Sequence, residues 1–205
     1  MKKIIILVLM IIGLSFGYLI EGELSRDNGN IANAWFPMVG SNSYVGDQYD
    51  VPPVEDEIPN WYLEGIKYYV WSQGWPDSTY QGFSVGCWNV INNVPTDIIW
   101  PINGQLIYNP NIGGNWITQV IEPQFNLTIG CSGKFLIGIC FLYDYPNCDA
   151  FGVDNTGFGP YDWANIGDGW EHPNYGKGTA RALITNAGNS NIETTTLGTI
   201  RAMYK

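Results

Sequence analysis

Residues Lys134–Tyr143 read KFLIGICFLY, and this run decides the fold class. Side chains on a strand point to opposite faces in turn, so Phe135, Ile137, Ile139 and Phe141 would line one face and Leu136, Cys140 and Leu142 the other. Both faces are apolar, which requires a strand inside a sheet that is covered on both sides. Its bounded length, with Gly133 before it and Pro146 after it, argues against a helix. The DYPNCD that follows (144–149) reads as a tight turn, with Pro146 fixing φ and Asn147 tolerating an unusual backbone. On this reading Asp144, Asp149 and Asp154 punctuate a β-hairpin.

Outward from this run, short β-rich segments alternate with turn residues. They are IKYYVW (66–71), FSVGCWNVI (83–91) ending at NNVP, DIIW (97–100), QLIY (105–108), WITQVIE (116–122), a segment near Ala150–Asp154, and ARALIT (180–185). Such spacing predicts an all-β fold, a jelly-roll-like antiparallel β-sandwich over residues 61–187. Residues 18–60 lack sustained periodicity, and their GDQYDVPPVEDEIPN (46–60) carries Pro52, Pro53 and Pro59, which cannot donate to a ladder. They read as an extended N-terminal lead-in packed on the domain through Trp35 and Phe36. Residues 188–205 read as a linker and tail, where Thr195 or Thr196 would cap a short C-terminal helix carrying Leu197, Ile200 and Met203. NIGGNW (111–116) and NIGDGW (165–170) echo each other as Gly-rich turns feeding a strand that opens with Trp, not as a duplication.

The first residues, MKKIIILVLMIIGLSFG (1–17), combine a basic start, an apolar run and small residues at Ser15 and Gly17, the pattern of a secretory signal peptide. The expected location is extracellular or at the cell surface, with membrane contact only through this segment if it stays uncleaved. A net charge of −10 repels phosphate backbones and argues against a nucleic-acid partner. Charged residues are only 14 % of the chain against 15 % aromatics, so the acidity is not that of a disordered tail. Cys87, Cys131, Cys140 and Cys148 are an even set in an exported chain and point to disulfides. The sequence does not choose among the three pairings, although Cys140 and Cys148 flank the turn. The alternative is buried free thiols.

The motifs with chemical meaning read structurally. Gly82–Gly86 matches GxSxG around Ser84, with Asp154 and His172 following in hydrolase order, but the match lies inside an alternating strand without the helix a nucleophile elbow needs. Asp149, Asp154 and Asn155 could offer oxygens to calcium, yet they lack EF-hand spacing and are also ordinary turn formers. Glu64, Glu122 and Glu171 are the carboxylates a glycoside hydrolase would draw on, without a glycosidase signature around them. No catalytic residue, cofactor or metal ligand is assigned. Trp116, Tyr161, Trp163, Trp170 and Tyr175 lie in or beside loops and are the candidate sugar-stacking residues, with sheet-to-sheet packing as their other role.

IKYYVW, FSVGCWNVINNVP and GKFLIGICFLYDYPNCDAFGVDNTG followed by GDGW give residues 61–185 a further meaning: this part of the chain resembles the jelly-roll sandwich domains of secreted and cell-surface bacterial proteins, often found in type IX secretion cargo. The resemblance implies an extracellular accessory or adhesive role and carries over no catalytic residues. Where those chains have a sorting domain, this sequence has NIETTTLGTIRAMYK. The expected function is therefore a secreted, non-catalytic β-sandwich module with a binding, adhesive or structural role. Its partner would be an extracellular glycan or a surface protein. The alternatives are a carbohydrate-binding module and, further back, a jelly-roll glycoside hydrolase.

Overall fold

The computed structural model describes residues 21–35, 43–54, 60–71, 83–100, 114–144, 150–154, 159–173 and 177–186. Among the described residues twelve strands form two antiparallel six-stranded sheets packed face to face, a β-sandwich. They are β1 (Glu21–Leu24), β2 (Ile31–Trp35), β3 (Ser43–Asp50), β4 (Tyr62–Trp71), β5 (Phe83–Ile91), β6 (Val94–Trp100), β7 (Asn115–Asn126), β8 (Lys134–Phe141), β9 (Ala150–Asp154), β10 (Asp162–Asn165), β11 (Trp170–Glu171) and β12 (Arg181–Thr185). One sheet has the order β11-β10-β3-β8-β5-β6. In the other, β4 pairs along one side with β7 and along the other with β12 and then β9, while β1 and β2 extend the sheet beyond β12 and β9. Most connections cross from one sheet to the other. A one-turn helix, α1 (Leu127–Gly130), joins β7 to β8, and the Asn126 side chain caps it by accepting from the Ile129 N–H at 3.1 Å.

Strand β8 lies between β3 and β5 with both faces covered. Phe135, Ile137, Ile139 and Phe141 enter the main core with Val45, Tyr49, Leu63, Ile66, Tyr68, Ile121 and Phe151. Leu136 and Cys140 face outward and are buried too. The outward cover comes from aromatic rings gathered around a row of glycines, for Gly46, Gly138 and Gly86 face one another on β3, β8 and β5. Tyr44 sits one step to one side of this row and Trp88 one step to the other, yet their rings meet at 5.5 Å, and Trp170 packs on Trp88 at 5.4 Å. Missing side chains in the row let the flanking rings lean over the sheet and seal it.

Several expectations are corrected. The described part of the 18–60 lead-in carries three strands of the sandwich, β1 to β3. In the sequence β3 is hidden because Gly46, Asp47 and Gln48 interrupt its apolar alternation, although all three are buried. Trp35 does pack on the domain, edge-on to Phe141 at 5.4 Å, while Phe36 falls outside the described residues. β8 and β9 are not a hairpin, since they belong to different sheets and their connection crosses the sandwich. NNVP, by contrast, is a hairpin turn: Asn92 and Asn93 both have positive φ, 54° and 60°, and β6 resumes at Val94. The echoed turns behave alike, with Gly114 and Gly169 at positive φ just ahead of Trp116 and Trp170. The C-terminal helical tail finds no support, as residues 187–205 lie outside the described residues, as do 1–20 and Gln105–Tyr108. Among the described residues no helix is long and apolar enough to cross a membrane.

The glycine row gives a direct test. A Cβ on Gly138 would stand 2.3 Å from the Val45 carbonyl oxygen, and one on Gly46 2.2 Å from that of Ile137. Both obstacles are backbone, so strand spacing must change to admit a methyl group. Gly138→Ala is expected to lower the free energy of unfolding by roughly 2 kcal/mol or more in urea titrations.

Candidate functional site

On the outer face of the second sheet, two cations and two carboxylates interlock around a pair of rings. Trp116 on β7 pairs across from Tyr69 on β4, and their rings meet edge to face at 5.6 Å. Lys67 and Arg181 are cross-strand partners on β4 and β12, and both reach the indole. The Arg181 guanidinium lies 3.8 Å from its centroid and the Lys67 ammonium 5.3 Å. Two carboxylates hold these cations in place. Asp27 takes Arg181 in a fork, from Nε at 2.8 Å and Nη2 at 2.5 Å, and Glu23 binds both Arg181 and Lys67.

Burial decides the weight of each pair. The Asp27 side chain is 1 % exposed and Arg181 14 %, so their fork is a buried pair, whereas Glu23 and Lys67 remain about a third and a quarter exposed. The hydrogen bonds that Arg181 donates to Asp27 are the largest influence on it and hold its pKa above the usual arginine value. At Glu23 partial burial works to raise the carboxyl, but the bonds from Lys67 and Arg181 outweigh it, and the net shift is downward.

The five aromatics expected to bind sugar do not form one platform. Trp116 belongs to the face just described. Tyr161, exposed before β10, lies under the Arg26 guanidinium at 4.0 Å. Trp163 is buried on the outer face of the first sheet, donating from Nε1 to Gln48 at 3.0 Å, and Trp170 packs with Trp88 and Tyr44. These two serve packing. Tyr175 falls outside the described residues. Lys67, Tyr69, Arg181, Asp27 and Glu23 were not singled out from the sequence. The periodicity of IKYYVW did place Lys67 and Tyr69 on one face, but nothing in the sequence brings β1 and β12 beside it.

No hydrolase triad is assembled. Ser84 lies within β5, Asp154 in the opposite sheet, and His172 packs on Trp163 at 3.9 Å. Three strand spacings, about 14 Å, separate β5 from β10. His172 Nδ1 lies 2.8 Å from the Asp162 carbonyl oxygen, which can only accept, so that nitrogen carries the proton. Glu64 and Glu122 come from paired strands near a register shift between Leu63 and Gly65, while Glu171 belongs to the other sheet. The Asp154 carboxylate accepts from the Asn28 N–H at 3.0 Å, and Asp149 and Asn155 lie outside the described residues. Among the described residues no group of three or more His, Cys, Asp or Glu side chains is placed to hold a metal ion.

The disulfide expectation is also corrected: Cys87, Cys131 and Cys140 are free thiols, and Cys148 lies outside the described residues. Cys87 faces the core between the sheets and Cys140 the opposite side of the same sheet, so these two cannot bridge each other. Burial pushes the Cys131 thiol up to about 12 and Cys140 to about 11. The chain matches no family model, no curated protein and no solved structure to which it was compared.

Two measurements test this account. At pH 8 the thiolate fraction of Cys140 is about one in a thousand, so intact-mass analysis should show these three thiols labelled slowly by iodoacetamide when folded and rapidly in denaturant. Ser84 Oγ is buried with no hydrogen-bond partner. Ser84→Ala should therefore leave stability unchanged or raise it by up to about 1 kcal/mol in a urea titration.

Proposed function

We propose that the chain is a secreted, non-catalytic β-sandwich module with a binding, adhesive or structural role at a bacterial surface, and that it binds through the outer face formed by β7, β4 and β12. The observation that carries this reading is the contrast between the two outer faces. One is filled by its own rings, with Trp88 and Trp163 almost wholly buried. The other presents Trp116 and Tyr69 only partly buried, beside Thr118 and Val120, both exposed, and beside fixed charges from Lys67 and Glu23. Rings that offer an apolar surface next to oriented donors and acceptors suit an amphipathic ligand.

A carbohydrate is the ligand class that this combination favours, because a pyranose joins an apolar face to a rim of hydroxyls. Lys67 supplies donors and Glu23 acceptors within reach of the Trp116–Tyr69 pair, and their mutual ion pair holds both in position before binding. The glycosidase alternative draws less support, since Glu64 and Glu171 stand in different sheets and do not flank one bond. A glycan-array screen of the full chain, with and without calcium, tests the reading. Trp116→Ala is expected to weaken retention of any bound glycan at least tenfold, while Ile129→Ser, on the exposed end of α1, leaves it unchanged. Equal retention by Trp116→Ala would place the ligand elsewhere.

A further inference from the structure

We propose that Asp47 and Asp162 share one proton inside the sandwich, carried by Asp47 and donated from its Oδ1 to the Asp162 carboxylate, and that this proton latches the segment Gly178–Ala180 between the two sheets. The two aspartates are direct cross-strand partners on β3 and β10. Their side chains point into the sandwich from the pleat face that also carries Val45 and Tyr49, and they are 0 % and 2 % exposed.

Donor bookkeeping assigns the proton. Asp162 accepts at both oxygens, from the Gly178 N–H at 3.2 Å and the Gly159 N–H at 2.6 Å. Asp47 accepts at Oδ2 from the Ala180 N–H at 2.8 Å, but its Oδ1 has no donor although it is fully buried. Two bare carboxylates in contact without solvent would repel strongly. A proton on Oδ1 turns the orphaned acceptor into a donor and removes one charge. Burial first, and then the Asp162 carboxyl within hydrogen-bonding reach, push Asp47 well above the ordinary aspartate range.

The groups that face the pair do not offer another neutraliser. From the β1–β2 connection comes Asp27, committed to Arg181 of β12 by its fork, and Arg26, lying over the rings of Tyr49 and Tyr161. From β3 comes the Tyr49 hydroxyl, which donates to the Ala180 carbonyl at 2.6 Å and is itself raised well above its usual pKa by burial. His172 meets only the Asp162 backbone, from the outer face. A cation in place of the proton would face three backbone N–H groups already directed at the same carboxylates.

The strap is built around this pair. A Cβ on Gly178 would stand 2.5 Å from Asp47 Oδ1, so only glycine lets the chain pass so close. Thr179 Oγ1 donates to the Gly152 carbonyl at 2.6 Å, tying the strap to β9 in the opposite sheet. The sign of the pH dependence follows. The folded state holds a proton that the unfolded chain releases near pH 3.9, so the stabilisation is complete below that value and is lost as pH rises toward the folded pKa. Glu23, shifted the other way, loses its contribution at the acid end.

Urea unfolding of the full chain between pH 5 and 9 provides the test, with Asp47→Asn and Asp162→Asn measured alongside. In Asp47→Asn the amide NH₂ replaces the shared O–H while the amide oxygen still accepts from Ala180. This variant should fold, lose the wild-type slope, which reaches up to a tenfold change in the unfolding constant per pH unit, and match or exceed the wild type at pH 8. Asp162→Asn must point an NH₂ at the Gly178 or Gly159 N–H, and should be the less stable variant throughout. Infrared difference spectra of the wild type at neutral pH should show the carbonyl stretch of a protonated carboxylic acid. That stretch is expected whether or not either variant folds. The proposal is overturned if the stretch is absent, if Asp47→Asn keeps the wild-type slope, or if Asp162→Asn proves the better tolerated. A melting temperature that falls on chelation and recovers with calcium would overturn it as well, by replacing the proton with a cation.

Discussion

Strand β8 has no solvent side, and the rest of the fold answers that constraint. Its inner residues require a second sheet, which supplies Leu63, Ile66, Tyr68 and Phe151. Its outer residues require cover that a two-layer sandwich does not normally provide, since the outer faces of antiparallel sheets usually meet water. The solution lies in the row of glycines through Gly138: removing side chains at the centre of the outer face makes room for Tyr44, Trp88 and Trp170 to lie across it. Three of the chain's nine tryptophans, Trp88, Trp163 and Trp170, are thereby given to packing on this face. The face left open is the one on the second sheet, where Trp116 is bounded by charged groups instead of further rings.

What could be read from the sequence follows from how far each residue's surroundings are local. The continuous apolar run of β8 and the limits of β5 are local facts, and both strands are legible in the sequence. β3 is not, because a strand with Asp and Gln buried at adjacent positions violates the pattern that identifies strands. Those polar groups are tolerated only through partners more than a hundred residues away, Ala180 for Asp47 and Trp163 for Gln48. The β8–β9 connection is illegible for a related reason: turn residues announce a change of direction but not which sheet receives the next strand. The candidate site divides in the same way. Trp116 was legible as an aromatic near a turn, whereas the cations beside it arrive by cross-strand pairing with β4 and β12, a long-range event that no short motif encodes.

The two sheets are held by more than apolar contact. The segment before β12 is bonded to both sheets, accepting from Tyr49 and donating to Asp47 on one and donating to Gly152 on the other. Hydrophobic burial is non-directional and permits the sheets to slide, whereas hydrogen bonds in a dry interior lose most of their value when displaced by even an ångström. These bonds therefore fix the relative setting of the layers and leave the bulk of the cohesive energy to the surrounding side chains.

The pairing of β1 with β12 carries a mechanical consequence. Glu21 lies opposite Thr185 and Leu24 opposite Ala182, so the outer end of the first strand and the far end of the last meet at the same corner of the sheet. Tension applied through the chain on either side of these residues loads the ladder at that corner and opens its hydrogen bonds one after another, like a zip. A ladder pulled along its length would share the load among all its bonds at once. If the module is tethered through both ends, this corner is where it yields first, and the Glu23 and Asp27 contacts to Arg181 are the next resistance the peeling strand meets.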